Sequence, residues 1–289
     1  MSFFVHYLDS GEADRAHIHL TYARTSFLFL SPVGEKSNFD DFDNVQELEK
    51  NKDWSVQLAP TFQGDPKGTW LIFPDLKECE LAKAEWPGAR YQAATFTDIS
   101  SATSHLGGEG SYVAPWGSNL VGGLSNVLGG KDGDAGLLGD RAALDDLGVP
   151  PAVALVVQPG NGGPVEDWIN VEKVADGSPG TAVVVINGAL DKVRGYYYPA
   201  VFFPQLAQTV DRFYKKFESV LYLKSISDKG AYGWLYRVYP EPWQVILQTP
   251  VEGPRGMVVE DTIVQVTDDR PEYLDALAAL LKAKNSAGQ

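Results

Sequence analysis

Two hydrophobic periods run along this chain, and the changes between them mark its elements. Trp70-Leu71-Ile72-Phe73 is an unbroken apolar run closed by Pro74-Asp75, the pattern of a strand buried on both faces. Asp75 then stands as an N-cap with Glu78 three residues on, opening a helix that presents Leu76, Cys79, Leu81, Ala82 and Trp86 before Pro87-Gly88 stops it. Residues 89–99 read as a further strand. Ala152–Val157, a helix over Val165–Val174 and the apolar run Thr181–Ile186 make a β-α-β unit, so parallel and right-handed pairing is expected. Pro204–Phe217 carries Leu206, Val210, Phe213 and Phe217 at helical spacing.

From Phe217 to Gln248 the period changes to two. Val220, Tyr222 and Lys224 face one way and Leu221, Leu223 and Ser225 the other, Ser227-Asp228-Lys229-Gly230 supplies turn chemistry, and Trp234–Val238 alternates again, which predicts a β-hairpin. Pro240 and Pro242 each lack the N–H that a paired strand needs, so YPEPW reads as a kinked crossing that drops Trp243 onto the sheet. Met257–Val266 is a last strand. Asp269-Arg270-Pro271-Glu272 has the form of a capping box before a final helix whose stripe is Leu274, Leu277, Ala278 and Leu281. At the other end, Ala16–Ala23 alternates as a strand with His17, His19 and Thr21 on one face, Ser26–Leu30 is a short strand or buried segment, and Val56–Leu58 reads as a short strand.

The order of helix, F-E-x-V-x-Y-L, hairpin and Y-P-x-P-W-x-V resembles an uncharacterised-domain family of plants, algae and cyanobacteria. That family includes the "low photosystem II accumulation" assembly factor and the C-terminal extension of a chloroplast adenylate kinase. Trp70–Asp75 with its following helix, and the strand ending Ile186-Asn187, carry the same likeness, which covers roughly residues 68 to 280. Residues 1–34 show no likeness to it. The resemblance implies a compartment and partners, a plastid and a photosynthetic complex, and brings no catalytic motif with it. Met1-Ser2-Phe3-Phe4 has neither transit-peptide nor signal-peptide character, which fits a mature form or a destination that needs no presequence, and the resemblance implies the first.

The resulting expectation is an α/β fold, a three-layer sandwich with a mixed, largely parallel sheet and antiparallel C-terminal hairpin strands. An N-terminal arm and acidic linker fill residues 1–67, one α/β domain fills 68–284, and a tail fills 285–289. Within the domain, residues 105–150 form a long glycine-rich insertion, with GGEG, VGG, LGG and DGDAG interleaved with apolar side chains. A loop of this length serves a function or moves. Tyr112, Trp116, Leu120, Leu124 and Leu128 are its candidate contacts, either with a partner, as a lid over a groove, or with this protein's own surface.

Composition narrows the chemistry. A net charge of -14 over 289 residues argues against nucleic acid or an anionic lipid surface as the main partner. The single cysteine, Cys79, excludes an intramolecular disulfide and a cysteine-rich zinc site, and reads as a helical core residue. No apolar run is long enough to span a bilayer. Gly160-Asn161-Gly162-Gly163 lies between strand and helix, where phosphates bind, but Val165 replaces the third glycine of a dinucleotide fingerprint and Glu166 and Asp167 would repel a pyrophosphate. Gly129-Gly130-Lys131 fails as a Walker loop because Asp132 replaces the Ser or Thr, and the calcium-loop pattern fails at Leu137 and Ala143. His17, His19 and His6 could ligate a metal only with a further partner, and Ser100, Ser101, Ser104 and His105 lack a nucleophile elbow. Tyr222, Trp234 and Tyr236 are spaced for cross-strand packing rather than pigment or base stacking. No cofactor, metal or catalytic residue is expected.

Two functions of different class fit. One is a non-catalytic protein of the chloroplast or plastid, in the stroma or on the stromal side of the thylakoid, that binds a photosystem complex as assembly factor or peripheral subunit. The other is an enzyme or small-ligand-binding protein using the carboxyl edge of its parallel strands, with Asp75, Gly160, Asn161 and Asn187 as candidates.

Overall fold

The computed structural model describes the backbone of strands β1 (Ser2–His6), β2 (His17–Thr21) and β3 (Phe27–Glu35), and residues 52–53, 55–59, 68–87, 94–108, 110–115, 147–160, 164–188, 198–254 and 256–287. Contacts cluster into two compact units, one of residues 1–28 and 45–217, the other of residues 29–44 and 218–289.

The first unit holds four parallel strands, β4 (Thr69–Phe73), β5 (Thr95–Asp98), β6 (Val153–Val157) and β7 (Ala182–Ile186), in the order β7-β6-β4-β5. Every residue of β4, β6 and β7 is buried, as continuous apolar runs require when helices cover both faces of a parallel sheet. From β4 the chain steps outward to β5 through α1 (Leu76–Glu85). It then returns past β4 to β6 through α2 (Ile99–Gly107) and the insertion, and goes on to β7 through α3 (Asp167–Gly177). Right-handed crossovers put α1 on one face and α2 and α3 on the other, where those two helices pack together. Helix α4 (Pro204–Arg212) packs on α3, continued by a short 3-10 turn, Tyr214–Lys216.

Several expectations shift here. Val56–Leu58 lies in a helical segment, not a strand: Lys52, Ser55, Val56 and Ala59 are buried, a three-and-four spacing that a strand cannot produce. Of the strand expected at 89–99, residues 95–98 form β5 and residues 89–93 lie outside the described residues; Asp98 ends β5 and caps α2, accepting from the Ser100 and Ser101 N–H groups at 3.0 Å each. The residues read as the start of an insertion are therefore the last turn of α2.

The second unit is an antiparallel sheet, β8 (Glu218–Asp228), β9 (Ala231–Val238), β10 (Trp243–Gly253) and β11 (Gly256–Thr267), with helix α5 (Tyr273–Ala287) against β9, β10 and β11. The hairpin turns at Lys229 (φ 50°) and Gly230 (φ 74°), two successive left-handed residues as a tight two-residue turn demands. Val220, Tyr222, Lys224 and Ile226 are buried on one face as the alternation predicts, and Trp243 packs on Tyr222 at 5.1 Å between ring centroids. The final helix opens at Tyr273, after Pro271-Glu272, so the box beginning at Asp269 lies upstream of its first turn. Its buried stripe is Ala276, Leu277 and Leu280, while Leu274 and Ala278 face outward.

Candidate functional site

In the first unit the chain reverses its direction across the sheet between β4 and β6, and the carboxyl ends of those two strands border the crevice where open α/β sheets hold ligands. Asp75 follows β4. Its side chain accepts from the Glu78 N–H at 2.8 Å and its carbonyl from the Cys79 N–H, so it is committed to starting α1 and stands exposed. After β6 the backbone turns sharply at Gln158 (φ 54°) and Gly160 (φ 72°). Asn187 (φ 49°) ends β7 in the same left-handed conformation, buried. Asn161 lies outside the described residues.

Asp167, the first residue of α3, occupies the middle of this edge. One of its oxygens accepts the Gly160 N–H at 3.2 Å, so this protein's own carboxylate sits where a bound phosphate would. Burial pushes the carboxyl up to about 7, the Gly160 N–H pulls it partly back, and the charges of Glu166 and Asp75 add to the rise. Near neutral pH the group is thus both donor and acceptor. Its other oxygen, and both amide atoms of Gln158, are buried without a hydrogen-bond partner. Buried polar atoms in this condition are rare and call for a ligand or ordered water. Gln158 and Asp167 were missed in the sequence because a glutamine ending an apolar strand carries no signature, and Asp167 reads as a dipole-favouring acid of the first helical turn.

The other candidates of the first unit resolve into structural roles. Ser101 Oγ donates to Asp98 at 2.6 Å, and His105 Nε2 lies 2.8 Å from the Gly148 carbonyl. Burial pushes the Cys79 thiol up to about 12, far from a nucleophile's range. Tyr112 belongs to a segment tied to its own unit. The Asn170 side chain bonds both the N–H and the carbonyl of Val113, at 2.8 and 3.0 Å, Ser111 Oγ donates to the Thr103 carbonyl, and Lys173 reaches the Ser111 carbonyl. Trp116, Leu120, Leu124 and Leu128 lie outside the described residues. In the N-terminal ribbon the backbone register sets His6 opposite His17, with His19 two positions further along the same strand.

The second unit offers a surface that no sequence motif marks. Gly233 lies against Leu280 of α5, so the register divides the sheet into a face under the helix and a face away from it. Tyr222 and Trp243 belong to the helix side, where the Arg270 guanidinium stacks 4.5 Å from the Tyr222 ring and bonds its hydroxyl. Trp234 and Tyr236 point to the other face, so the three aromatics grouped by spacing are on opposite sides. On that open face, Tyr232, Met257, Val259, Ile263 and Val266 are 54–67% exposed. Asp261 lies among them on the same face, accepting from Gln248 Nε2 at 3.1 Å, and a group of exposed apolar residues rimming one polar pair marks an interaction surface where single ones would be ordinary.

Among the described residues no helix is long and apolar enough to cross a membrane. The chain belongs to the family described as a domain of unknown function, DUF1995, which it matches over residues 13–275. That match takes in most of the N-terminal stretch in which no likeness was expected. No curated protein and no solved structure matches the chain.

Proposed function

We propose that this chain is a non-catalytic protein of the photosynthetic plastid that docks on a photosystem or another thylakoid protein complex from the stromal side, as an assembly factor or peripheral subunit. Closer kinship with the "low photosystem II accumulation" factor and the adenylate kinase extension belongs to the same proposal, and the residues of the aromatic hairpin motivate it. The single observation that carries the docking role is the uncovered apolar face of the second unit, centred on Val259 and Ile263. An acidic protein with such a face is suited to a protein surface rather than to anionic lipid. Native separation of mildly solubilised photosynthetic membranes tests it. Co-migration with a chlorophyll-containing complex at near one-to-one stoichiometry marks a subunit, and substoichiometric presence in precursors marks an assembly factor. A protein found apart from every pigment complex overturns the proposal.

A second reading, binding of a small ligand at the carboxyl edge, is favoured by one observation: the unpartnered polar atoms of Gln158 and Asp167. Acidic Asp75, Glu166 and Asp167 around this edge disfavour an anion and suit a neutral or cationic polar molecule. A thermal-shift screen of neutral and cationic polar compounds, with Gln158→Leu as the control that removes the amide, tests it. Shifts that survive that substitution count against this edge.

A further inference from the structure

Strand β9 pairs with β10 only over Gln244–Leu247, so β10 from Gln248 onward and β11 up to Asp261 project past it as a two-stranded ribbon. β11 stands at the end of the sheet order, with β10 on one side only. Two-stranded ribbons are marginal in water, and a long apolar edge strand is a template for a further strand. Here Met257, Val258 and Val259 are all exposed, so both faces of the ribbon are apolar near its tip. The strand carries two charges, both acidic and consecutive at its centre, and neither Lys nor Arg: Glu260 shares a face with Val258, and Asp261 shares the other with Val259 and Ile263, where it accepts from Gln248 Nε2 at 3.1 Å. Pairing with a second copy would set these acids against their own counterparts, between chains that each carry -14, and like charges opposite one another destabilise a strand pair.

Resting on the docking role proposed above, we infer that β11 is a strand-addition site, and that its occupant is an extended segment of a partner protein. That segment alternates aliphatic residues with Lys or Arg, its aliphatic side continuing the Val259–Ile263 face and its cations lying on the other face, beside Glu260. Main-chain hydrogen bonds along β11 supply affinity, and the pairing of those cations with Glu260 selects the sequence.

The test uses the full chain and synthetic peptides of about ten residues, one alternating Val with Lys and one alternating Val with Glu. The Val/Lys peptide is expected to bind about tenfold tighter at low salt, with the gap closing at about 1 M salt. Amide hydrogen exchange over residues 256–267 should slow in the complex. Val259→Lys, at an exposed position that tolerates it, should abolish binding with an unchanged melting temperature. Glu260→Lys should invert the preference toward Val/Glu. Equal affinity for the two peptides, or binding indifferent to Val259→Lys, overturns the inference. So does self-association that Val259→Lys abolishes, which would make the occupant a second copy, or Val259-dependent binding to phosphatidylglycerol vesicles. If Val259→Lys protein still co-migrates with a pigment complex, the strand-addition site is wrong and the docking role stands. If the peptide preference holds but no co-migration is found, the docking role on a photosystem falls alone.

Discussion

Asp167→Asn separates the cost of burying a charge from every other contribution at the sheet edge. The carboxyl is 1% exposed, and its folded-state value lies at about 7 against an ordinary 3.8. A raised acid binds its proton more tightly in the folded state, so folding gains stability as pH falls and loses it as pH rises from about 4 to about 7. Three pH units at 1.36 kcal/mol each make the full swing about 4 kcal/mol. Asparagine keeps an acceptor for the Gly160 N–H and cannot ionise. It places an unpaired NH2 where the second oxygen was, a pH-independent cost of roughly 1–2 kcal/mol. The variant should therefore be less stable than the parent at pH 4 by about that cost, and more stable at pH 8 by about 2–3 kcal/mol. Urea unfolding of both proteins from pH 4 to 8, compared as differences so that the other titrating groups cancel, measures this swing. A difference that changes by less than about 1 kcal/mol over that range would mean Asp167 ionises freely in the fold. The account of this edge as a dry, polar, ligand-ready place would then be refuted.

Glu172 should behave with the opposite sign. Burial raises its carboxyl, but the bonds from Arg212 and Thr209 outweigh this and leave it lowered from 4.5, so its contribution is present above that value and lost as pH falls below it. Glu172→Gln should cost roughly 1–3 kcal/mol at pH 7 and flatten acid unfolding below about pH 4.5, read by urea melts across pH. Gly233→Ala puts a Cβ 2.2 Å from the Ile246 carbonyl oxygen and against Leu280, so it should cost about 3 kcal/mol or more and lower the melting temperature markedly. Cys79, buried with its thiol pushed up to about 12, should resist iodoacetamide at pH 8 in the native protein and react in urea, and labelling of the native thiol within minutes would contradict its placement.

The sequence was most legible where one pattern had one reading. Trp70–Phe73, Val153–Val157 and Ala182–Ile186 are apolar runs too short for helices and fenced by Pro, Gly or Asp, and all three are central parallel strands. Lys229-Gly230 could only turn tightly. Legibility failed where the pattern was degenerate. In LDALAALL nearly every helical face is apolar, so the stripe against the sheet was misread by part of a turn. Val56 and Leu58 alternate like a strand, but the burial of Lys52, Ser55 and Ala59 needed to recognise a helix comes from tertiary packing. The expected strand ran on through Asp98 to residue 99, whereas Asp98 ends β5 and caps the next helix, which hid α2.

By itself, then, the sequence determined the central parallel strands, the hairpin and most of the helices, the parallel and antiparallel halves, the bulk charge, and the absence of a phosphate-loop pattern, because these follow from periodicity, turn sterics and composition within short windows. Only the tertiary structure decided which residues share a surface. Strand order brought Gln158 to the same sheet edge as Asp75, 83 positions away in a chain whose local patterns do not encode pairing. Register put Tyr222 and Trp234 on opposite faces although both lie in one hairpin. The exposure of β11 was equally invisible beforehand: an alternating apolar strand has the same sequence whether or not anything covers it, and coverage is settled by where the rest of the second unit ends.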